Sequence, residues 1–301
     1  MSGLLVGLDI GATKILGVVA SYDGTVRASV RVDSPVGGPE VVAVAGRVVA
    51  ELRDRTGEPV GGRVGVGIPG LVDVTHGTVR HAVNLGVADG FPFGDELAAR
   101  IDADVVVDND VNAAALGAAA VTGRDDLVYL SLGTGLAVAA VLDGHLRRGA
   151  HNAAGEIGHI PVDPAGPVCE CGQVGCLETV ASGSALAALW PSADRPPAQA
   201  LFARAAAGDQ LAVQVRDRFA GQVADAVRLV ALTVDPQVVV LGGGVSHVGE
   251  PLRLAVARAL DEQAAASPFL SSLDISGRLR LAPQDVPVAA LGAALLGGPR
   301  G

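Results

Sequence analysis

Long apolar runs are missing from this 301-residue sequence, since none approaches the roughly 20 residues that a helix needs to cross a bilayer. A secretory start is missing too, because residues 1–10 enter a strand pattern directly, without a basic segment. We therefore expect a cytoplasmic protein with no membrane partner. Clusters of Lys and Arg are also lacking, and the net charge of −10 opposes non-specific binding to nucleic acid, whose phosphates need such clusters.

Cysteine is scarce but concentrated. Cys169, Cys171 and Cys176 lie within eight residues, and this odd, dense set is unlike a disulfide framework. With His159 they offer one imidazole and three thiolates, a soft tetrahedral set that favours zinc. Four protein ligands close the coordination sphere, so the predicted zinc is structural and fixes the loop that carries the cysteines. Buried inert thiols with a core histidine are the alternative, which the density of the four residues disfavours.

Two common nucleotide motifs are absent, because no glycine segment ends in the Gly-Lys-Ser/Thr of a Walker A loop and none is a Rossmann fingerprint. Glycine itself is abundant, with 41 residues, and Ala, Val and Leu occur in short runs between glycines. This composition is typical of buried strands joined by tight turns. The length suits two modest lobes or one large α/β domain.

The order of the predicted elements indicates an internal duplication. Three strands open the chain in a β-β-β-α-β-α outline, and a strand, a Gly-Thr-Gly turn and a second strand restart the pattern near residue 127. The predicted strands are Leu4–Ile10, Ile15–Ala20, Thr25–Val32, Arg63–Ile68, Val105–Val107, Leu127–Leu132, Leu136–Leu142 and Val238–Leu241. The predicted helices span residues 40–55, 111–121, 183–190, 197–207, 211–233 and 288–296, with another near Glu250. Two such lobes would place two phosphate-binding turns across a cleft, which suits ATP.

Three glycine segments form the candidate nucleotide site. Their residues are Asp9, Gly11, Ala12, Thr13 and Lys14 in the first hairpin, Gly133, Thr134 and Gly135 in the second, and Gly242, Gly243 and Gly244 after a later strand. Backbone N–H groups in such turns, with the Thr13 hydroxyl, can bind phosphate oxygens, and Asp9 can orient Mg²⁺ through water. Each segment alone is equally consistent with an ordinary turn or a flexible connection, and Lys14 with a solvated charge. Because the turn recurs in the second half of the chain, phosphate binding and an ordinary structural turn become equally favoured interpretations.

A polar pentapeptide, Asp108-Asn109-Asp110-Val111-Asn112, spans the end of a buried strand and the start of a helix, where α/β folds collect ligands. The common role of Asn109 or Asp110 at such a place is an N-cap, and the spacing alone favours that role. The functional alternative is that Asp110 accepts the proton of a sugar hydroxyl as that oxygen attacks phosphorus.

Further polar residues could bind a sugar. Glu156 and His159 are three residues apart, so one turn can direct both inward, and Glu178 follows the last cysteine by two residues. Hexose hydroxyls both donate and accept hydrogen bonds, so carboxylates combined with amides such as Asn84 and Asn109 suit them. Ile68-Pro69-Gly70 is predicted to be a rigid turn lining the same pocket. Each residue alone could be a solvated surface group, so the prediction depends on the whole set.

Seven motifs, taken in order, resemble those of the ROK family of bacterial sugar kinases and sugar-responsive repressors, across essentially the whole chain. They are DIGATK, GIPG, DNDVN, SLGTG, GEIGH, CECGQVGCLE and LGGGV. The cysteine motif preceded by GEIGH is highly specific, whereas the glycine motifs alone are not. The resemblance implies an actin-like, ribonuclease-H-like duplicated α/β fold with two lobes around an ATP and sugar cleft. The small lobe would be residues 1–115 with a C-terminal helix at 285–301, the large lobe would be residues 116–284, and the protein would be a homodimer.

The resemblance also implies roles for individual residues. Asp110 falls on the catalytic base, Asn84, Asn109, Glu156, His159 and Glu178 on sugar contacts, and His159 with Cys169, Cys171 and Cys176 on zinc ligands. His159 would then serve both metal and sugar. Three departures from the family pattern bear on nucleotide affinity and sugar preference. Ala12 replaces a glycine, Leu136-Ala137-Val138 replaces a glycine-rich stretch, and Asn152 stands where the family often has glycine.

The implied function is transfer of the γ-phosphoryl group of ATP to a hexose, with glucose as the favoured substrate. N-acetylglucosamine, N-acetylmannosamine, fructose and allose are alternative acceptors, and polyphosphate is an alternative donor in part. A sugar-sensing repressor and a sugar-binding module without catalysis are alternative functions. The first turn begins at Asp9, whereas repressors of the family carry a winged helix-turn-helix before it, so a kinase is favoured.

Overall fold

The structure is a computed structural model that describes residues 4–57, 60–193 and 196–298. The chain divides into two compact units. The first comprises Met1–Asp125, Asp143–Ala154 and Pro283–Gly301, and the second comprises Asp126–Leu142 and Gly155–Ala282. Helix 288–296 therefore belongs to the first unit although it lies at the far end of the chain. The lobe boundaries expected at residues 115 and 284 stay a prediction.

The described residues form strands and helices with the following bounds. The strands are β1 (Leu4–Ile10), β2 (Lys14–Ser21), β3 (Val26–Asp33), β4 (Val60–Ile68), β5 (Leu71–Asp73), β6 (Thr78–Arg80), β7 (Val105–Asn109), β8 (Leu127–Leu132), β9 (Leu136–Leu142), β10 (His145–Arg147), β11 (Val238–Gly242) and β12 (Leu279–Leu281). The α-helices are α1 (Gly38–Thr56), α2 (Phe93–Ile101), α3 (Asp110–Thr122), α4 (Glu178–Ala181), α5 (Gly183–Leu189), α6 (Pro197–Ala206), α7 (Gln210–Val234), α8 (Glu250–Ala264), α9 (Pro268–Ser272) and α10 (Val288–Leu296). In the described ranges no helix combines the length and the apolar character that a membrane span requires.

The two units share one strand topology. In the first unit the sheet order is β3-β2-β1-β4-β7, with β1 antiparallel to β2 and parallel to β4, and β4 parallel to β7. In the second unit β9, β8, β11 and β12 lie side by side in that order, with β8 antiparallel to β9 and parallel to β11, and β11 parallel to β12. A hairpin strand followed by parallel strands therefore occurs twice, and the predicted duplication is confirmed.

Each unit has its own hydrophobic core. In the first, Leu8 and Val66 of the sheet pack with Val48 of α1 and Phe93 of α2. In the second, Leu130, Leu241 and Phe219 belong to a core that joins β8, β11 and α7. The central strands β1, β8 and β11 are almost wholly buried, as expected for strands covered on both faces.

Strongly patterned elements have the predicted bounds, among them β1, β8, β9 and α10. The predicted outline is wrong between β4 and β7, where it omits α2 and the β5–β6 hairpin. Helix α2 has only nine residues, and its apolar positions, Phe93, Leu97 and Ile101, are too few to stand out as a helical period. Strands β5 and β6 have three residues each, which is too short for a visible alternation.

Helix α10 packs against α3 through direct backbone contact. A Cβ at Gly117 of α3 would overlap the carbonyl oxygen of Val288, and a Cβ at Gly292 of α10 would overlap that of Ala113. Because only glycine fits at both places, the two helices approach backbone to backbone. Helix α3 carries Asp110 as its first residue, so this packing fixes the element that presents the predicted base.

Candidate active site and metal centre

The junction of β7 and α3 holds the predicted base. Asn109 is the N-cap of α3, and its Oδ1 accepts hydrogen bonds from the N–H groups of Val111 at 2.8 Å and Asn112 at 3.3 Å. Asp110 is half-buried at the first helical position, and its Oδ1 accepts the Val111 N–H at 3.0 Å. The N-cap role therefore falls to Asn109, while the helix N-terminus favours an anionic side chain at Asp110.

The predicted turn residue Gly70 lies at this junction. Asn109 Nδ2 donates to the Gly70 carbonyl oxygen at 3.1 Å, so the structure brings Gly70, Asn109 and Asp110 together. Gly67 of β4 lies directly beside the base, because a Cβ there would lie 3.3 Å from the Asp110 Cα. Asn84 is exposed in a short 3₁₀ helix, Val83–Leu85, and in the described part of the chain no hydrogen bond joins it to this group.

The first predicted phosphate turn connects β1 and β2. The Gly11 N–H donates to the Lys14 carbonyl at 2.9 Å, which leaves Ala12 and Thr13 exposed at the tip. The Ser34 N–H donates to the Thr13 carbonyl at 3.1 Å and so fixes the turn from β3. Asp9 precedes the turn, and burial raises the pKa of its carboxyl to about 6 although the Lys14 charge opposes the shift.

The second predicted phosphate turn connects β8 and β9. The Gly133 N–H donates to the Gly135 carbonyl at 3.1 Å, and the Gly133 carbonyl accepts the Gly183 N–H at 2.8 Å. A Cβ at Gly243 would lie 2.5 Å from the Leu132 carbonyl carbon, so the third glycine segment packs directly on the backbone of this turn. The structure thus brings the second and third predicted nucleotide segments together. Gly183 was missed, because a glycine at a helix start carries no sign of a contact fifty residues away.

Two glutamates and a histidine gather in the second unit. Glu178, the first residue of α4, accepts the Leu136 N–H on Oε2 at 2.9 Å. Glu156 Oε2 lies 4.0 Å from His159 Nε2. Burial raises the pKa of Glu156, the His159 charge opposes this, and the Glu178 charge adds to it. Hydrogen-bond acceptors of this kind, half-buried and close together, suit the hydroxyl groups of a sugar.

Gly135 of the second predicted phosphate turn lies against the Glu178 carboxylate, whereas Gly133 does not, so substitutions at the two glycines should have different effects on the substrates. A Cβ at Gly135 would overlap the Glu178 carboxylate, whereas a Cβ at Gly133 would meet only Ser131 Oγ at 3.9 Å and the Gly135 carbonyl at 4.0 Å. We expect Gly135→Ala to displace Glu178 and to raise the KM for sugar about tenfold or more, since a half-buried acceptor is moved from its place.

The matched Gly133→Ala variant is expected to raise the KM for ATP and to leave the KM for sugar nearly unchanged. Steady-state kinetics with each substrate varied in turn measure both effects. If Gly135→Ala and Gly133→Ala changed the sugar KM equally, the proposed effect of Gly135 on the Glu178 carboxylate would be contradicted.

The predicted zinc ligands form one cluster. One ligand atom from each of His159, Cys169, Cys171 and Cys176 lies within 4.8 Å of all the others. Cys171 and Cys176 have their sulfurs 3.6 Å apart, and Cys169 Sγ lies 3.6 Å from His159 Nδ1. Tetrahedral zinc with Zn–S bonds of about 2.3 Å needs ligand separations of about 3.8 Å, so the donor set and its spacing fit zinc.

The loop around the cluster is held by its own backbone. The Cys169 N–H donates to the Gln173 carbonyl at 2.8 Å, and Gly172 and Gly175 both have positive φ, at 90° and 69°. Burial raises the pKa of the Cys176 thiol to about 12, so holding a thiolate there needs a cation. Gln173 was missed by the sequence analysis, although its Nε2 donates to the His159 carbonyl at 3.0 Å.

A third missed residue is Arg148. Its Nε donates to Asp108 Oδ2 at 2.7 Å, two residues before the predicted base in the chain. The sequence does not predict this ion pair, because the two residues are forty positions apart and Arg148 follows another arginine.

Known proteins match the chain over most of its length. A sequence profile of the ROK family matches residues 5–297. A glucokinase of Thermotoga maritima is 35% identical over 269 residues, which cover 82% of this chain and 84% of that protein. An N-acetyl-D-glucosamine kinase of Citrobacter koseri is 36% identical over 257 residues, which cover 80% and 84%.

A solved structure extends the likeness to the fold. The ROK family glucokinase of Streptomyces griseus, in complex with glucose and AMPPNP, is 31% identical, with a TM-score of 0.82 over 98% of this chain and 99% of that chain. Together with the duplicated strand topology, this confirms the actin-like α/β fold.

Proposed function

The chain belongs to the ROK family, and from that premise we propose that it is an ATP-dependent hexose kinase that phosphorylates glucose. The observation that carries the proposal is the polar junction of β7 and α3, where Asp110 stands at the helix start beside an N-cap asparagine. The likeness to glucokinases over most of both chains supports it. The alternative acceptor is N-acetylglucosamine, which is supported by the likeness to kinases named for that sugar.

Asp110 is proposed as the general base. A sugar hydroxyl donates its proton to the carboxylate as the oxygen attacks the γ-phosphorus, and the bond from that phosphorus to the leaving ADP oxygen breaks. This role needs an ionised carboxylate on a rigid support. Helix α3, packed on α10 by backbone contact, provides that support.

The residues proposed to contact the sugar are Gly70, Asn84, Asn109, Glu156, His159 and Glu178. The short distance between Glu156 and His159, and the firm hydrogen bond that holds Glu178, support a preformed set of acceptors. Preformed acceptors cost little ordering on binding, which favours discrimination among hydroxyl arrangements.

ATP is proposed to bind the three glycine segments, whose members are Gly11, Ala12, Thr13 and Lys14, then Gly133, Thr134 and Gly135, then Gly242, Gly243 and Gly244. Exposed Thr13 and Thr134 at the turn tips and the close packing of Gly243 on the second turn support this assignment. Mg²⁺ bound with ATP would offset the phosphate charge, and Asp9 would orient it.

Zinc is proposed to be structural. Four protein donors fill a tetrahedron, and His159 Nδ1 faces the cysteine sulfur while Nε2 faces Glu156. Zinc on Nδ1 would therefore fix the ring that borders the sugar carboxylates. The homodimer implied by the family resemblance and the cytoplasmic location expected from the sequence stay predictions.

Asp9 gives the proposal a pH signature. Because its pKa is raised to about 6, the carboxyl is protonated below that pH and loses the charge that Mg²⁺ requires. We expect kcat/KM for MgATP, which at saturating sugar reports groups of the enzyme before ATP binds, to fall about tenfold per pH unit below this pKa. Measurements from about pH 5 to about pH 8 at saturating sugar test this. The Asp9→Asn variant should lose this acid limb, and an unchanged limb in that variant would contradict the assignment.

A kinetic screen of sugars tests the function itself. With ATP saturating, kcat/KM is measured for glucose, N-acetylglucosamine, N-acetylmannosamine, fructose and allose. We expect glucose to exceed each of the others by about tenfold or more, the discrimination that hydrogen-bonded hydroxyls can supply. A higher value for N-acetylglucosamine would shift the assignment to the second acceptor, and no turnover with any sugar would reject the kinase.

A further inference from the structure

Asp108 is the unusual residue of the β7–α3 junction. It is 1% exposed, and among the residues that the structure describes it is the one charged member of the buried polar set. A buried carboxylate is costly unless it is paired and fully hydrogen-bonded. Its presence next to the proposed base therefore needs an explanation from its partners.

Three donors satisfy Asp108. Oδ1 accepts the Asn109 N–H at 2.8 Å and Asn112 Nδ2 at 2.8 Å, and Oδ2 accepts Arg148 Nε at 2.7 Å. The first two donors are local and neutral. Arg148 alone supplies the opposite charge, and it comes from a segment forty residues away.

The network encloses the proposed base. Asp108 holds the backbone of Asn109, the residue before Asp110, and the side chain of Asn112, the second residue after it. Asn109 in turn caps α3 and bonds to Gly70. The chain on both sides of Asp110 is therefore held by hydrogen bonds to one buried carboxylate.

Arg148 lies in the segment Asp143–Ala154 of the same unit. The Ala154 N–H donates to the Arg148 carbonyl at 3.1 Å, which closes the loop that leads along the chain to Glu156. The Arg148 side chain is 32% exposed, whereas that of Asp108 is 2% exposed. The guanidinium thus reaches from the surface to the buried carboxylate and is the part of the network that a substitution can remove most cleanly.

We propose that Arg148 is a positioning residue for phosphoryl transfer, which holds Asp108 and thereby the orientation of Asp110. The inference rests on the proposed function of Asp110 as base. Without Arg148 the Asp108 carboxylate is buried without a cation, so it draws in a proton or water and the junction shifts. A shift of about 1 Å at a reacting group can cost about 10²-fold in rate, so kcat is the parameter affected.

The test compares Arg148→Met with Arg147→Met in the full chain. Arg147 pairs with the exposed Asp143 at 3.5 Å and makes a matched control one residue away. We expect Arg148→Met to lower kcat by about 10- to 100-fold with the sugar KM within about threefold of wild type. Arg147→Met should leave both parameters near wild type.

Two further variants separate positioning from general loss of structure. Asp108→Asn added to Arg148→Met removes the unpaired charge, so we expect the double variant to regain at least about threefold in kcat over Arg148→Met. Arg148→Lys keeps the charge, and we expect its kcat to lie between wild type and Arg148→Met. A folded Arg148→Met variant with wild-type kcat, a loss confined to the sugar KM, or strictly additive effects would overturn the proposal.

Amide hydrogen exchange distinguishes failure of this inference from failure of the proposed function. We expect the amides of residues 109–112 to exchange faster in Arg148→Met than in Arg147→Met, whatever the substrate is. If the wild-type protein phosphorylates no sugar, the kinase proposal fails on that result alone. Unchanged exchange at these amides in Arg148→Met would overturn the positioning role independently.

Discussion

Replacing Asp110 with Asn is expected to lower kcat for sugar phosphorylation by roughly 10²- to 10⁴-fold, the contribution of a positioned general base. The substitution removes the proton acceptor but keeps an Oδ1 atom, which can still accept the Val111 N–H. Because Asn109 is the N-cap, helix α3 should remain intact. The sugar KM and the melting temperature should therefore stay near their wild-type values.

Coupled kinetics, calorimetric sugar binding and thermal unfolding check the three quantities together. Asp102→Asn is a matched control, because Asp102 is exposed at the end of α2 with a positive φ of 50° that Asn tolerates. A folded Asp110→Asn variant whose kcat stays within about threefold of wild type would remove Asp110 from the catalytic role.

Loss of the metal should have the second large effect. We expect the purified protein to contain one zinc ion per chain and the Cys176→Ser variant to contain none, because Cys176 is a buried member of the four-residue cluster. Without zinc the His159 ring is no longer fixed beside Glu156, so the sugar KM should rise by about 10- to 100-fold or more. The melting temperature should fall as well, since binding of a structural metal contributes directly to folding.

Metal content by mass spectrometry, together with thermal unfolding before and after chelation, measures this effect. Val174→Thr is the control, because Val174 lies in the same loop, is 44% exposed and offers no ligand atom. It should keep the zinc and the sugar KM. Protein that is fully active and equally stable without zinc would contradict a structural role for the cluster.

Local sequence patterns were sufficient for much of the fold. Strand β8 is a short buried run ended by a glycine turn, and α10 is an apolar stretch bounded by Pro287, so both have clear limits in the sequence. The four predicted metal ligands could also be recognised from the sequence, because three of them lie within eight residues of the chain. The structure brings all four within 4.8 Å of one another. Where the chemistry is concentrated in a short segment, spacing alone predicts the cluster.

Contacts between distant segments could not be predicted in this way. The Arg148–Asp108 pair joins residues forty positions apart, and the Gly183–Gly133 hydrogen bond joins residues fifty apart. Helix α2 was not predicted for another reason, because nine residues with three large apolar positions give too weak a helical periodicity. The missed contacts, unlike α2, depend on tertiary packing, which a single sequence does not display.

Transfer of labelled phosphorus tests the proposed kinase activity most directly. The full chain is incubated with Mg²⁺, glucose and ATP labelled at the γ-phosphorus, and the products are separated. If Asp110 directs a hexose hydroxyl to that phosphorus, the label appears on glucose 6-phosphate in step with ADP, and Asp110→Asn forms almost none. Label found only in inorganic phosphate, or left in ATP whichever hexose or N-acetylhexosamine is supplied, would contradict it.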